Sequence, residues 1–327
     1  MKRIIFWLNA ARLHTVPTSF MSWLVPFIFG ATAGGNIYKG ILALFGIVSV
    51  HLGVNLLDDI YDYSKEIRAS KSNNELPFNK QKGKCAYLLS GEATLKQTIG
   101  VTVSLFTFAC TIGAYLTFTC GWQILFIAGI TSVLCLFYPI STKFGLGEIT
   151  VGIVYAPLLY SGTYFVMTQT FSIEILIISI STGLLTVGLL HTSTMLDHDF
   201  DITNNKITIC TIVGNKYNAV IAQGVLLLGA YLNILIAVMQ KWISPIMMLS
   251  FLSIPTSVYL IKLLLLHIKS PNELPQRNFW MGPIENWDKL VNSGMAAYMV
   301  KFLLARNVMF IFTVYICIAK IITELIK

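Results

Sequence analysis

Two short clusters of aspartate stand at the ends of long apolar segments in this sequence. They hold six of the 15 acidic residues of the chain: Asp58, Asp59, Asp62, Asp197, Asp199 and Asp201. Carboxylates at the edge of hydrocarbon are costly unless a cation neutralises them. Because two such clusters occur far apart in one chain, we predict that they share one site for a multivalent cation.

Helical spacing indicates which of these side chains converge. Residues three or four positions apart lie on the same face of a helix. Asn55, Asp59 and Asp62 therefore share a face, and so do Asp197 and Asp201. The other two aspartates point elsewhere and are interpreted as supporting or solvated groups.

The chemistry of these donors favours Mg²⁺, which prefers oxygen ligands and commonly bridges a few carboxylates to the phosphates of a substrate. Basic residues that could bind the same phosphates occur in neighbouring loops: Lys65, Arg68, Lys82, Lys84, Lys143 and Lys206. Carboxylates, Mg²⁺ and basic side chains together predict a site for a diphosphate with a lipid tail. The alternative is that the aspartates are ordinary solvated or capping residues.

His51 and His191 are interpreted as polar residues at helix ends, with ligation or proton transfer as the alternative.

The composition predicts a protein that crosses the membrane many times. Of the 327 residues, 55% are hydrophobic and 12% are charged, and the mean hydropathy is +0.72. The net charge of +8 is attributed to orientation and contact with anionic lipid, and nucleic-acid binding is excluded for so apolar a chain. The six cysteines have no paired spacing typical of a metal site and are not expected to form a disulfide framework.

Nine segments are long and apolar enough to span a membrane, which takes about 20 residues. They lie at about 15–34, 37–57, 97–118, 121–140, 148–168, 172–191, 217–239, 242–263 and 298–323. We therefore predict an all-α polytopic membrane protein in which residues 1–327 form a single transmembrane bundle. Three long polar loops are predicted to cap this bundle on one side: 58–96, 192–216 and 264–297.

The distribution of Lys and Arg predicts the orientation of the bundle. If the N-terminus is cytoplasmic, 19 of the 23 basic residues lie on the cytoplasmic side, and four lie outside: Lys39, Lys241, Lys320 and Lys327. Basic residues concentrate in cytoplasmic loops. We therefore predict a cytoplasmic N-terminus and an external C-terminus in the cell inner or plasma membrane, with both aspartate clusters facing the cytoplasm.

The order of these motifs resembles that of the UbiA-type intramembrane prenyltransferase superfamily, and within it the 1,4-dihydroxy-2-naphthoate polyprenyltransferases of the menaquinone pathway. Asn55, Asp59 and Asp62 are similar to the first motif of that branch, and Asp197 and Asp201 to the second. Shorter pieces agree in order: 12–17, 83–84, 90–91, 138–139, 145–148, 162–164 and 206–208. The likeness runs from about residue 10 to residue 216.

The resemblance implies an enzyme that transfers a polyprenyl group from its diphosphate to an aromatic acceptor within the lipid membrane. Asp59 and Asp62 would hold one Mg²⁺ with help from Asn55, and Asp197 and Asp201 would hold a second. Departure of the diphosphate would leave an allylic cation, which an electron-rich ring attacks. The resemblance also implies residues that bind the diphosphate and, for the tyrosine, shelter the cation: Arg12, Lys65, Arg68, Lys84, Lys143, Lys206 and Tyr138.

The second motif departs from the family pattern at Ser193, Thr194 and Leu196, where the branch usually carries two Asn residues and an Arg. Other members of the superfamily prenylate acceptors such as hydroxybenzoate or homogentisate, and this is the nearest alternative. A cation transporter is an alternative of another class, but it should place acidic residues at mid-membrane depth. A relative that binds lipid without catalysis is the third alternative.

Overall fold

The computed structural model describes residues 2–73 and 85–327, with side chains for 3–64 and 85–327. Every regular element in these residues is a helix, which confirms the predicted all-α class. The α-helices are α1 Lys2–Ala10, α2 Val16–Thr32, α3 Ile37–Asn73, α4 Ala86–Leu89, α5 Leu95–Cys120, α6 Trp122–Ser141, α7 Gly147–Ile153, α8 Leu159–Thr168, α9 Ile173–Leu196, α10 His198–Thr203, α11 Ile209–Ile212, α12 Lys216–Met239, α13 Ile254–Lys269, α14 Trp287–Asn292 and α15 Ala296–Ile326. Four 3₁₀ segments (Leu13–Thr15, Thr142–Phe144, Pro245–Ser253 and Phe279–Met281) and one π-helical turn (Val154–Leu158) complete the set.

Eight helical segments in the described residues are long and apolar enough to cross a membrane, and they match eight of the nine predicted spans: Ile37–Ser64, Leu95–Cys120, Trp122–Phe144, Gly147–Thr168, Ile173–Leu196, Lys216–Met239, Pro245–Lys269 and Ala296–Ile326. The remaining predicted span, 15–34, is α2, which has 17 residues. At 1.5 Å per residue it extends only about 26 Å, slightly less than a hydrocarbon core of about 30 Å. Left-handed residues bound the helical stretch that contains it, Arg12 with φ 60° before the Leu13–Thr15 turn and Gly34 with φ 76° after Thr32.

Local capping signals account for several helix boundaries. Thr94 and Gln97 form a capping box at the start of α5, with the Gln97 N–H donating to Thr94 Oγ1 at 3.3 Å and the Thr94 N–H to Gln97 Oε1 at 3.0 Å. Gly121, with φ 115°, alone separates α5 from α6. The left-handed Gln169 ends α8, and Ser172 then caps α9. The connections between α5 and α6 and between α8 and α9 are therefore short.

Helices extend further into the predicted loops than hydropathy indicated. Helix α3 continues to Asn73, so the first aspartate cluster lies inside a helix and not at the start of a loop. Helices α9 and α13 likewise continue to Leu196 and Lys269. The predicted loop starts at 58, 192 and 264 were therefore too early. Hydropathy marks where hydrocarbon ends, whereas a helix continues while its residues favour it, and residues 58–73 contain neither Gly nor Pro.

The chain divides into two compact units, which are Met1–Phe20 with Tyr38–Pro139, and Met21–Ile37 with Ile140–Lys327. In the first unit, a small core joins the start of the chain to α3: Ala11, Leu52 and Leu56. This core lies directly beside the first aspartate cluster in sequence, so it fixes the element that carries the cluster.

The second unit is organised around α9, most of whose residues are buried. Polar side chains join α9 to α12 within this apolar core. Asn233 Nδ2 donates to the Ile177 carbonyl at 2.8 Å, and His191 Nε2 donates to the Ala219 carbonyl at 2.8 Å. Hydrogen bonds of this kind hold membrane helices together where burial of apolar surface cannot. His191 therefore has a structural role in the core.

Close packing of α7 on α9 leaves no room for a side chain at Gly152. A β-carbon there would lie 2.5 Å from Val187 Cγ2 and 3.3 Å from the Gly183 carbonyl oxygen. We expect Gly152→Ala to lower the free energy of unfolding by about 1–3 kcal/mol through overpacking. Gly224→Ala on α12 is the matched control, because no atom lies within 4 Å of its β-carbon position. The melting temperatures of both variants are measured in detergent. If Gly152→Ala melted at the same temperature as Gly224→Ala, the close packing at Gly152 would be contradicted.

Candidate functional site

The first aspartate cluster lies against the segment that joins α1 to α2. Arg12 Nη2 donates to Asp59 Oδ1, and Arg12 Nη1 lies 3.7 Å from Asp58 Oδ2. Asp59 is only 2% exposed, so its charge depends on this cationic partner. The structure thus brings Arg12 and Asp59 together. It also places Asp58 within reach of Arg12, although helical spacing alone had Asp58 pointing away from Asp59 and Asp62.

Two further polar residues of α3 fix the backbone on either side of Arg12. Asn55 Nδ2 donates to the Ala11 carbonyl at 2.9 Å. His51 Nε2 lies 2.8 Å from Thr15 Oγ1, within hydrogen-bonding distance. Because these bonds hold the segment before and after Arg12, they also determine where its guanidinium can reach. Asn55 and His51 therefore position Arg12, a role that the sequence did not indicate.

A cavity of about 640 Å³ opens beside this cluster in the first unit. Its walls come from α1, α3 and the region of α4: Phe6, Asn9, Ala10, Arg12, His14, Asp59, Ala86, Tyr87, Ser90 and Glu92. Tyr87 packs edge-on against Phe6 and Trp7, with ring centroids 5.9 and 6.2 Å away. Burial and the nearby charge of Asp59 raise the pKa of the Tyr87 phenol. Sequence reasoning missed Tyr87 because it lies within the predicted first loop, 58–96, and belongs to none of the motifs.

The second cluster lies where α9 ends and α10 begins. The Asp201 N–H donates to the Asp197 carbonyl at 2.8 Å, so the two aspartates are one helical turn apart. Asp201 is 1% exposed and accepts a hydrogen bond from Lys206 Nζ at 3.1 Å. Asp199, by contrast, is exposed, and its bond from Lys216 lowers the pKa of its carboxyl group. The structure therefore brings Asp201 and Lys206 together and leaves Asp199 facing solvent, as its spacing indicated.

A buried glutamate supports the second cluster. Glu148 at the start of α7 is 5% exposed, and its Oε1 accepts from Thr194 Oγ1 and from the Ile209 N–H, both at 3.2 Å. Thr194 is one of the positions that depart from the family pattern, and Glu148 is its partner on another helix. An isolated acidic residue in an apolar segment was the signal that could have identified Glu148 as part of the site.

Tyr298 on α15 is a second supporting residue that the sequence did not reveal. Its hydroxyl donates to Asp197 Oδ2 at 3.1 Å and lies 3.5 Å from Ser193 Oγ. No motif or periodicity connects α15 with the second cluster, so only the fold could show this contact. Leu196, the third departure from the family pattern, packs against the apolar core of the second unit.

The remaining predicted residues fall into two groups. Asp62 and Tyr138 are partly buried, and Lys143 is exposed. The others lie outside the part of the chain whose side chains the structure describes: Lys65, Arg68, Lys82 and Lys84. Their contacts with a diphosphate stay predictions.

The donors of both clusters fit Mg²⁺. Each cluster offers carboxylate oxygens that already attract a cation in this structure, Arg12 at Asp59 and Lys206 at Asp201. Two carboxylates in each cluster suit Mg²⁺, which usually takes one or two carboxylates and completes its shell with water and substrate phosphates. Among the described residues, no group of three or more His, Cys, Asp or Glu side chains could by itself hold a metal ion.

Comparison with known sequences identifies a family. The profile of the UbiA prenyltransferase family matches residues 16–282. The 1,4-dihydroxy-2-naphthoate octaprenyltransferase of Mycobacterium leprae (strain TN) is 24% identical over an alignment of 244 residues that covers 72% of this chain and 79% of that protein. The residues matched by the family profile include the two aspartate clusters and the helices that carry them.

Solved structures share the fold. A structure of digeranylgeranylglyceryl phosphate synthase has a TM-score of 0.64 at 15% identity, covering 98% of this chain and 99% of that chain. A UbiA homologue from Archaeoglobus fulgidus bound to DMAPP and Mg²⁺ has a TM-score of 0.55 at 12% identity, covering 93% and 98%. At these identities the likeness concerns the fold alone.

Proposed function

Because this chain belongs to the UbiA family of intramembrane prenyltransferases, we propose that it transfers a polyprenyl group from its diphosphate to 1,4-dihydroxy-2-naphthoate in menaquinone biosynthesis. The observation that carries this proposal is that each aspartate cluster contains a buried carboxylate paired with a cationic side chain. The Mycobacterium leprae relative supports the naphthoate acceptor. The Archaeoglobus fulgidus homologue, bound to DMAPP and Mg²⁺, supports a prenyl diphosphate as the donor.

The carboxylates would hold Mg²⁺, as the family resemblance implies. Asp59 and Asp62 would bind one ion, and Asp197 and Asp201 a second. When bound, Mg²⁺ supplies positive charge that offsets the charge developing on a departing diphosphate. The burial of Asp59 and Asp201 supports this assignment, because charges attract each other more strongly where water is excluded.

Basic side chains of this chain would bind the diphosphate directly. Arg12 and Lys206 already lie against buried aspartates, so each would contact a phosphate group held there. Arg12 presents a planar fork that suits two phosphate oxygens, whereas Lys206 provides a single mobile charge. Further candidates for the same contact are Lys65, Arg68, Lys84 and Lys143.

The allylic cation left by the diphosphate must be kept from water. Spanning helices rich in Leu, Ile, Phe and Met provide a dry environment for the prenyl chain. The ring of Tyr138, near the end of α6, would stabilise the cation through its electron-rich face. The acceptor ring would then attack the cation, and the carboxylate of dihydroxynaphthoate would leave as CO₂.

The charge distribution supports an orientation with the N-terminus and both aspartate clusters on the cytoplasmic side, and with the C-terminus outside. In that orientation, 19 of the 23 Lys and Arg residues are cytoplasmic. This orientation requires α2 to act as the ninth span, in addition to the eight longer helical segments. A polar diphosphate made in the cytoplasm would then reach the clusters without crossing the membrane.

A direct assay tests the proposed function. Purified protein in detergent or vesicles is given a polyprenyl diphosphate, Mg²⁺ and one acceptor at a time. We expect a prenylated product and CO₂ with 1,4-dihydroxy-2-naphthoate, and no product after Mg²⁺ is removed by chelation. Product with hydroxybenzoate or homogentisate alone would refute the acceptor. Binding of the diphosphate without product from any acceptor would instead indicate an inactive lipid-binding relative.

A further inference from the structure

The phenol of Tyr298 lies between two residues of the second cluster region. It donates to Asp197 Oδ2 at 3.1 Å and is 3.5 Å from Ser193 Oγ. We infer that Tyr298 is a positioning residue, which holds the Asp197 carboxylate in the orientation that Mg²⁺ and a prenyl diphosphate require. This inference rests on the proposed function.

A hydroxyl donor restricts the rotation of a carboxylate about its χ2 bond. Groups that bond to metal ligands in this way orient the ligand, and their loss typically weakens metal binding about 10–100-fold. Asp197 needs such a partner because it stands at the junction of α9 and α10, with φ −94° and ψ 7°, and not inside a regular helix. Tyr298 comes from a different helix and therefore fixes the carboxylate independently of that junction.

The helix that carries Tyr298 is itself firmly anchored. Lys301, one turn further along α15, is fully buried. Its Nζ donates to the Ala297 carbonyl at 2.7 Å and to the Pro271 carbonyl at 3.3 Å. The bond to Pro271 ties the start of α15 to the loop that follows α13. A side chain can hold another in place only if its own backbone is fixed, and Lys301 meets that condition for Tyr298.

Ser193 and Tyr298 form a matched pair. Ser193 stands where the related branch usually carries an Asn, and its short side chain leaves room for the phenol beside it. Thr194, at the next position, is matched in the same way by Glu148. Ser193 and Thr194 thus have partners on α15 and α7, so polar contacts from two other helices hold the residues that lead into Asp197.

The test measures how substrate binding depends on the Mg²⁺ concentration, in the wild type and in Tyr298→Phe. Binding of an unreactive prenyl thiolodiphosphate is followed through the melting temperature of the detergent-solubilised full-length protein. We expect the Mg²⁺ concentration at half-saturation to rise about tenfold or more, with binding restored at high Mg²⁺. Tyr259→Phe is the matched control, because its hydroxyl bonds to the Gln276 carbonyl and not to a carboxylate; its Mg²⁺ midpoint should stay at the wild-type value.

The outcomes separate this inference from the proposed function. A wild-type Mg²⁺ midpoint in folded Tyr298→Phe would overturn the positioning role and leave the proposed function intact. A protein that shows no Mg²⁺-dependent binding before any substitution would overturn both. If Tyr298→Phe has a lower melting temperature than the wild type even without ligand, the same substitution is made in an Asp197→Asn background. The inference then expects the double variant to have the same Mg²⁺ midpoint as Asp197→Asn alone. A full additional shift there would contradict it.

Discussion

Asp59→Asn is expected to lower the rate of prenyl transfer by about 10²–10³-fold, the size seen when one group that stabilises developing charge is removed. Asn keeps the shape of the side chain but loses the negative charge that would hold Mg²⁺ beside the diphosphate. Asp59 is 2% exposed, so water cannot take over this role. The measurement is product formation at saturating substrate, with the melting temperature as a check on folding.

Asp199→Asn is the matched control for that change. Asp199 has the same carboxylate side chain as Asp59, but it is exposed and pairs with Lys216 at 2.7 Å. Its rate should stay within about twofold of wild type, because removal of a solvent-exposed pair has small effects. If Asp59→Asn retained near-normal turnover, Asp59 would have to be removed from the proposed Mg²⁺ site.

Arg12→Gln should destabilise the protein as well as inactivate it. The substitution leaves the buried Asp59 charge without the guanidinium that neutralises it. Breaking a buried ion pair from one side costs about 3–5 kcal/mol of folding free energy. Thermal unfolding in detergent measures the loss, and product formation measures the effect on diphosphate binding.

A double variant separates the two roles of Arg12. Arg12→Gln combined with Asp59→Asn removes both charges, so the melting temperature should recover most of the loss seen with Arg12→Gln alone. Activity should not recover, because the carboxylate and the phosphate-binding cation are both gone. A double variant as unstable as Arg12→Gln would show that the guanidinium stabilises the fold through other contacts.

The departures from the family pattern at Ser193 and Thr194 have a structural explanation. Each forms a hydrogen bond with a residue from a distant helix, Tyr298 for the first and Glu148 for the second. Both positions therefore make polar contacts that hold the approach to the second cluster in place.

Much of the architecture could be predicted from the sequence, because hydropathy and helical periodicity act over short stretches of chain. Runs of about 20 apolar residues can only cross a membrane as helices, and eight predicted spans correspond to helical segments that meet this requirement. The spacing of Asp197 and Asp201 predicted a one-turn relation, which their backbone hydrogen bond at 2.8 Å shows. The end of α3 was placed too early because hydropathy locates hydrocarbon and not helix ends.

Only the tertiary structure decided which side chains surround the aspartates. Glu148 and Tyr298 reach the second cluster from other helices, and Tyr87 reaches the cavity beside Asp59 from the later part of the predicted first loop. Contacts between segments far apart in sequence follow from how helices pack, and no local pattern records them. The sequence by itself therefore determined the membrane-spanning helices and the spacing of the carboxylates, while packing decided the partners that hold those carboxylates in place.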